Sequence, residues 1–169
     1  MDIIKYGNPL LRKKAKAVDK ITKDIIRLID DMSKTLYTNV PKGVGLAAPQ
    51  IGVSLQIIVV EVEPGKIISF INPEIIETKG KCTKTEGCLS IPGVYADIQR
   101  AKNIVLTSIN PVNNKKITYR AEDFAARVIQ HEIDHLNGVL FTDFIDKVNM
   151  LTIEEGYTIP PKLLAKYKK

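Results

Sequence analysis

Two histidines, His131 and His135, lie four residues apart in this chain of 169 residues, and the sequence contains no third. The surrounding pattern predicts a helix over Glu122–Leu136. At about 100° per residue, Phe124 and Val128 fall on the same stripe of this helix as both histidines. The opposite face is apolar and consists of Ala125, Ala126, Ile129, Ile133 and Leu136. A helix of this kind lies in the core and presents its histidines to a pocket.

Imidazoles at positions i and i+4 of a helix can bind the same metal ion. Glu132 lies about 60° beyond His135 around the helix axis. That position suits a base that takes a proton from water beside the ion better than it suits a ligand. Asp134 is expected to anchor the helix or orient a loop rather than to bind metal. It belongs to a polar edge that comprises Asp123, Arg127, Gln130, Asp134 and Asn137.

A catalytic metal usually takes three protein ligands, so one more is needed. The acidic residues downstream have spacings that do not match the zinc protease signatures. They are Asp143, Asp146, Glu154 and Glu155. Upstream, Cys88 follows a β stretch in a turn-like setting and is a better candidate than Cys82, which is expected in an exposed strand. A disulfide between the two cysteines is an alternative, but a chain without a secretion signal more often uses them as thiols or ligands.

The remaining sequence predicts an α+β fold. Thr22–Tyr37 is expected to be a helix that ends before Asn39-Val40-Pro41, and Gly43–Gly52 is expected to be a tightly packed loop rather than an ordinary helix or strand. Turn residues separate short β-branched runs, which favours hairpins and therefore antiparallel pairing. The predicted strands are Gln56–Val62, Lys66–Ile71, Glu74–Thr78, Asn103–Ile109 and Lys115–Arg120. We therefore expect mainly antiparallel sheets packed around the helix that carries the two histidines.

Composition limits the possible classes of protein. A hydrophobic fraction of 44% and a mean hydropathy of −0.03 exclude disorder, collagen-like repetition and a disulfide-dense scaffold. No apolar run approaches the roughly 18 residues that span a bilayer. The length predicts a single domain over residues 1–169. The net charge of +6 suits a ribosome or nucleic-acid surface, but it also suits simple solubility.

Three segments of the sequence resemble, in order, the signature motifs of the peptide deformylase family. They are Gly43-Val44-Gly45-Leu46-Ala47-Ala48-Pro49-Gln50, Glu86-Gly87-Cys88-Leu89-Ser90 and Gln130-His131-Glu132-Ile133-Asp134-His135. The N-terminal segment Gly7-Asn8-Pro9-Leu10-Leu11-Arg12 also resembles that family's opening. The resemblance extends from about Tyr6 to Asp146, and the tail after about residue 148 carries no recognisable motif.

The resemblance implies a metal-dependent hydrolase that removes the N-terminal formyl group from formyl-methionine of new polypeptides and releases formate. It also implies roles for particular residues. The metal ligands would be Cys88, His131 and His135, and the catalytic groups would be Glu132 as base and then acid, the Gln50 amide and the backbone N–H of Leu89. The substrate would contact Gly45, Val44, Gly87, Phe124 and Val128. Glu86 is expected to pair with Arg100 beside the ligands.

A thiolate ligand is compatible with Fe(II), which the resemblance implies as the native ion, and with Zn, Ni or Co. Arg127 stands where related enzymes often carry an aliphatic residue, so the polarity of the pocket is expected to differ. The expected partners are nascent formyl-methionyl peptides and, transiently, the ribosome, with no DNA and no membrane. We expect a monomer in a bacterial-type cytoplasm, or in an organelle matrix after removal of a transit peptide.

Three other functions are compatible with parts of the sequence. A zinc endopeptidase would explain the two histidines and Glu132, but not the upstream cysteine. A basic ribosome- or RNA-binding module would explain the charge, but it would leave the three motifs without a role. An inactive relative would keep the fold, but every catalytic position is occupied by the residue that the chemistry requires.

Overall fold

The computed structural model describes residues 1–38 and 42–168, and strands make up most of its regular structure. The helices of this part of the chain are α1 (Lys23–Thr38), α2 (Asp123–Leu136) and α3 (Pro161–Lys166). The strands are β1 (Gly45–Ala47), β2 (Ile57–Glu63), β3 (Lys66–Lys79), β4 (Cys82–Cys88), β5 (Ile91–Arg100), β6 (Asn103–Ile109), β7 (Lys116–Glu122) and β8 (Leu151–Ile153). The α+β class predicted from the sequence is confirmed.

The described strands form two sheets with antiparallel pairing throughout. One sheet has five strands in the order β1-β2-β3-β6-β7, and the other has three in the order β4-β5-β8. The pairs β2-β3, β4-β5 and β6-β7 are hairpins, since each joins neighbours in sequence. The predicted hairpins between β2 and β3 and between β6 and β7 are therefore present.

Strand β2 is buried on both faces and separates two apolar layers. Ile58 and Val60 point to one side, where they pack in a cluster with Ile129 of α2. Ile57 and Val59 point to the other side, into a cluster that holds Met32 and Leu36 of α1. Side chains alternate between the faces of a strand, so a continuous run of apolar residues can serve both layers. Helix α2 is fixed in this way against the five-stranded sheet.

The three-stranded sheet has an apolar cluster of its own. It contains Ile91 and Ile98 of β5, Phe141 from a short 3-10 helix at Phe141–Phe144, and Leu163 of α3. Leu163 is fully buried. The tail, which carries no recognisable motif, forms the short helix α3 and closes this cluster.

Two expectations about secondary structure differ from the structure, and a third concerns residues that the structure does not describe. The segment Gly43–Gly52 contains strand β1 and a 3-10 helix at Ala48–Ile51, so the expectation of a loop alone was wrong. The separate strand expected at Glu74–Thr78 is the second half of β3, because Asn72 forms a bulge with positive φ instead of a turn that ends the strand. The predicted stop signal at residues 39–41 lies outside the described residues.

The beginning and the end of the chain meet at one carboxylate. Arg12 donates two hydrogen bonds to Asp143, and Lys166 of α3 lies 3.3 Å from the same side chain. The backbone N–H of Leu140 also donates to Asp143, at 2.9 Å. Burial acts to raise the pKa of Asp143, but these hydrogen bonds outweigh it and lower the pKa.

We expect Asp143→Asn to lower the free energy of unfolding by about 1 kcal/mol near neutral pH, since a partly exposed ion-pair network contributes little more than that. Because the folded pKa lies below the unfolded one, the contribution of Asp143 is complete above the ordinary carboxyl pKa and is lost as pH falls through the folded pKa. Urea unfolding between pH 7 and pH 3 should show the difference from wild type shrinking in acid. The control is Asp30→Asn, a substitution at an exposed position of α1. If the difference in unfolding free energy between Asp143→Asn and wild type did not change with pH, the stabilising role of the Asp143 carboxylate would be contradicted.

Candidate metal centre and active site

Cys88, His131 and His135 bring one sulfur and two imidazoles together between β4 and α2. Their ligand atoms all lie within 4.8 Å of one another, and Cys88 Sγ is 3.2 Å from Nε2 of His135. Both histidines are buried. One turn of α2 separates them, so the helix itself aligns the two rings. Soft sulfur with two nitrogens is a donor set that divalent transition metals accept, so the residues fit a metal ion.

Electrostatics prepare the sulfur for the ligand role. Burial acts to raise the pKa of the Cys88 thiol, but His135 and His131 outweigh it and hold that pKa well below its ordinary value. Burial likewise acts to lower the pKa of His131, and its hydrogen bonds with Cys88 and Glu86 raise that pKa well above the ordinary value. The thiolate is the form of cysteine that binds metals.

Glu86 orients His131. Its carboxylate lies 3.0 Å from Nδ1 of His131, so Nδ1–H donates to it and Nε2 is left to face the ligand cluster. Arg100 donates two hydrogen bonds to Glu86, at 2.9 and 3.0 Å, and a further one to Asp134. Burial acts to raise the pKa of Glu86, but the hydrogen bonds from His131 and Arg100 bring that pKa down to about 2.

Arg127 is buried, which corrects the sequence expectation that placed it on a polar edge of α2. Its side chain donates to Glu86 at 2.6 Å and to three backbone carbonyls, those of Cys82, Lys84 and Ile98. Helical periodicity gave the direction of the side chain correctly but could not show that β4 and β5 cover it. The guanidinium therefore ties α2 to both strands of the β4-β5 hairpin and lies at one wall of the cleft.

Gln50 reaches the centre from the 3-10 helix that follows β1. Its Oε1 accepts a hydrogen bond from the backbone N–H of Ala47 at 2.9 Å, which fixes the orientation of the amide. Nε2 then points to Cys88 Sγ, 3.5 Å away, and to Ser90 Oγ, 3.2 Å away. Gln50 is buried and lines the cleft, with Nε2 beside Cys88.

Glu132 lies beside the ligand cluster with almost no exposed surface. Among the described residues, its Oε2 has no hydrogen-bond partner. Burial raises the pKa of Glu132 to about 7, a range in which a carboxyl group both takes and gives protons. Gly45 makes room for it, because a Cβ at that position would overlap Oε1 of Glu132 and approach Val128. These contacts explain sterically why a glycine stands at position 45, within the first of the three motifs.

A cleft of about 490 Å³ opens from this centre. Val128 is buried in its wall, whereas Val44 and Phe124 are 38% and 53% exposed and lie at its mouth. The walls also include Gly45, Gln50, Gly87, Cys88, Leu89, His131 and Glu132. The structure therefore brings to one cavity nearly all of the site residues that the sequence singled out. Glu86 also lines the cleft, whereas His135 and Arg100 contact the lining residues Cys88 and Glu86 without lining it.

Several contributors to the cleft were missed from the sequence. Lys5 donates to the carbonyl of Leu89 at 2.9 Å, and the backbone N–H groups of Ile4 and Tyr6 donate to the carbonyls of Gln50 and Ser90. The N-terminal segment had no periodicity that would have indicated these contacts. Tyr157 of the tail also lines the cleft, and no local signal in the sequence pointed to it.

Comparison with known proteins agrees with this geometry. The family described as Polypeptide deformylase matches residues 1–150. The chain belongs to the peptide deformylase family. A peptide deformylase of Halothermothrix orenii is 50% identical over 149 residues, which cover 88% of this chain and 95% of the relative. The crystal structure of peptide deformylase from Thermotoga maritima is 42% identical, with a TM-score of 0.80, and the match covers 85% of this chain and 95% of that one.

A second solved relative, a peptide deformylase from Synechococcus elongatus, has a TM-score of 0.83 at 38% identity over 89% of this chain and 83% of its own. Membership in the deformylase family implies a metal-dependent hydrolase that acts on the formylated N-terminus of new polypeptides. In the part of the chain that the structure describes, no helix has the length and apolar character that crossing a membrane requires.

We expect Arg127→Met to lower the free energy of unfolding by about 3 kcal/mol, because it leaves part of a buried charge network and three carbonyls without their donor. Urea unfolding of the metal-loaded protein measures this. Arg120→Met, at an exposed position of β7, is the matched control and should change stability by less than about 0.5 kcal/mol. Equal effects of the two substitutions would contradict the structural role of Arg127.

Proposed function

We propose that this chain hydrolyses the amide bond between the formyl group and the N-terminal methionine of new polypeptides, at one divalent metal ion held by Cys88, His131 and His135. One observation carries the proposal. A sulfur and two imidazoles converge within 4.8 Å beside buried Glu132 and the oriented amide of Gln50, all against one cleft. An ion, a base and an oxyanion donor are what hydrolysis of a small amide needs.

When bound, the ion supplies Lewis acidity, which polarises the formyl carbonyl and makes water nucleophilic at neutral pH. We assign Fe(II) as the native ion, with Zn, Ni or Co as possible replacements. A thiolate beside two imidazoles is an electron-rich donor set that suits Fe(II) as well as Zn. Metal analysis of protein purified without oxygen identifies the ion.

Glu132 takes a proton from the attacking water and then delivers it to the departing amine. Its pKa of about 7 matches both steps, and its burial keeps competing water away. No hydrogen-bond partner among the described residues occupies its Oε2, so this atom is free to accept that proton. Hydrolysis releases formate and leaves the peptide with a free N-terminal methionine.

The Gln50 amide and the backbone N–H of Leu89 donate hydrogen bonds to the formyl oxygen as negative charge develops on it. The bond from Ala47 to Oε1 leaves Nε2 of Gln50 as the group that faces the reaction. Donors held in place before the reaction cost no reorganisation when the charge appears. The carbonyl of Leu89 is itself held by Lys5, which limits movement of this turn.

The methionine side chain enters the apolar part of the cleft. Val44, Phe124 and Val128 supply apolar surface there, and Gly45 and Gly87 line the same cleft. At Gly87 a Cβ would lie 2.7 Å from the ring of Tyr95, so this position has no space for a side chain. Arg127 adds a buried cation to the wall, but its hydrogen bonds to Glu86 and the strand carbonyls occupy it.

We further assign the whole chain to one catalytic domain that acts as a monomer on nascent peptides in a bacterial-type cytoplasm. The basic charge would favour transient contact with the ribosome, where such peptides emerge. Sedimentation of the protein with ribosomes at low and high salt measures that contact, since a charge-driven association weakens as salt rises.

We expect Glu132→Gln to lower formate release from formyl-Met-Ala-Ser by at least about 100-fold, because the general base is lost. Its metal content should stay at that of wild type, since Glu132 is not a ligand. Glu122→Gln, at an exposed position before the same helix, is the control. Loss of the metal, or retention of activity, would contradict the role of Glu132, and cleavage of an internal peptide bond by wild type instead of formate release would contradict the proposed function.

We expect Gln50→Leu to lower kcat by about 100- to 1,000-fold, the usual effect of removing one oxyanion donor. Metal content and the unfolding transition should be measured on the same sample, because Gln50 also contacts Cys88 and Ser90. A loss of kcat at unchanged metal content supports the role, whereas near-normal turnover would refute it.

A further inference from the structure

The tail of the chain reaches the cleft from beyond the residues that the family model matches. The family match ends at residue 150, yet Tyr157 is one of the residues that line the cleft, together with Cys88 and Glu132. Its side chain is 40% exposed, so the ring forms part of the mouth and is accessible from it. This wall is thus supplied by a segment outside the matched region.

Strand β8 fixes the tail immediately before Tyr157. It pairs with β5 in the register Val94↔Ile153. Beyond the strand, the backbone N–H of Glu154 donates to the carbonyl of Gly93 at 2.9 Å, and that of Tyr157 donates to the carbonyl of Glu154 at 3.0 Å. The hydroxyl of Tyr95 donates to the carboxylate of Glu154 at 2.9 Å. The turn is therefore bonded to the strand that forms one side of the cleft.

Gly93 leaves the space that the ring of Tyr157 occupies. Its φ is +71°, and a Cβ there would overlap Cβ, Cγ and Cδ1 of Tyr157. Glycine is thus required both for the backbone conformation and for the contact. After the turn, Leu163 is fully buried and Lys166 donates to the carbonyl of Thr142. Anchors on both sides hold Tyr157 over the cleft.

The chemistry of the substrate determines what meets this ring. The formyl group must lie at the buried end of the cleft, by Cys88 and Glu132, and it caps the first residue of the peptide. Every later residue must therefore leave through the mouth. Pro92 and Gly93 of β5 line the cleft together with the ring of Tyr157. An aromatic ring fixed at such a position can pack against a passing side chain.

We propose that Tyr157 is a specificity-determining residue that contacts the peptide beyond the formyl-methionine and favours an apolar side chain there. This inference rests on the proposed function, because it takes the direction of the peptide from the position of the formyl group. The ring acts through its apolar face, so Phe should replace Tyr at this position and Ala should not.

The test compares wild type, Tyr157→Ala and Tyr157→Phe on formyl-methionine amide, formyl-Met-Ala-Ser and formyl-Met-Leu-Ser. We expect Tyr157→Ala to lower kcat/KM about 10-fold for formyl-Met-Leu-Ser, mainly through KM, and to leave formyl-methionine amide unchanged. The loss for formyl-Met-Ala-Ser should be smaller, and Tyr157→Phe should match wild type. Met150→Ala, an exposed apolar change just before β8 at a residue that does not line the cleft, is the control.

The outcomes separate this inference from the proposed function. No formate release by wild type from any of the three substrates would refute the proposed function itself. Formate release with equal losses in Tyr157→Ala on all three substrates, or with no loss on any, would refute only the role of Tyr157. Calorimetry with the products Met-Leu-Ser and methionine amide gives a second measurement that needs no turnover, and there Tyr157→Ala should weaken binding of the tripeptide alone.

Discussion

The candidate metal centre depends on the hydrogen bonds that the carboxylate of Glu86 accepts. This carboxylate accepts hydrogen bonds from His131, Arg100 and Arg127, which come from α2 and β5, while Glu86 itself belongs to β4. Two guanidinium groups around one buried carboxylate keep it charged, and a charged carboxylate holds Nδ1–H of His131 in place. The orientation of His131 thus depends on three residues outside the proposed ligand set, namely Glu86, Arg100 and Arg127.

The convergence of Cys88, His131 and His135 could be predicted from the sequence because the information was local. A spacing of four residues on a helix fixes the relative direction of His131 and His135, and the scarcity of histidine and cysteine left few alternatives. Cys88 could be preferred to Cys82 from its turn-like neighbours alone. Glu132 followed from the same helical geometry, and its burial in the structure adds the raised pKa that the sequence could not give.

What the sequence could not give depends on contacts between distant segments. Arg127 lies on the helix where periodicity placed it, but its burial depends on β4 and β5, which begin 45 and 36 residues earlier. The bulge at Asn72 follows from pairing with β6, whereas the sequence divided this stretch into two strands, Lys66–Ile71 and Glu74–Thr78. The position of Tyr157 is determined by pairing of β8 with β5 and by Gly93, neither of which has a periodic signal. Features of this kind can be recognised only once the tertiary structure is known.

The N-terminal segment has a consequence for the order in which the site is completed during synthesis. Lys5 and Leu89 are 84 residues apart, and the backbone of Ile4 and Tyr6 bonds to the carbonyls of Gln50 and Ser90. During synthesis, Ile4, Lys5 and Tyr6 therefore lack these partners until Gln50 and then Leu89 and Ser90 have been made. Helix α2, which carries His131 and His135, is made later still, so the N-terminal contacts can form before the sulfur and the two imidazoles come together.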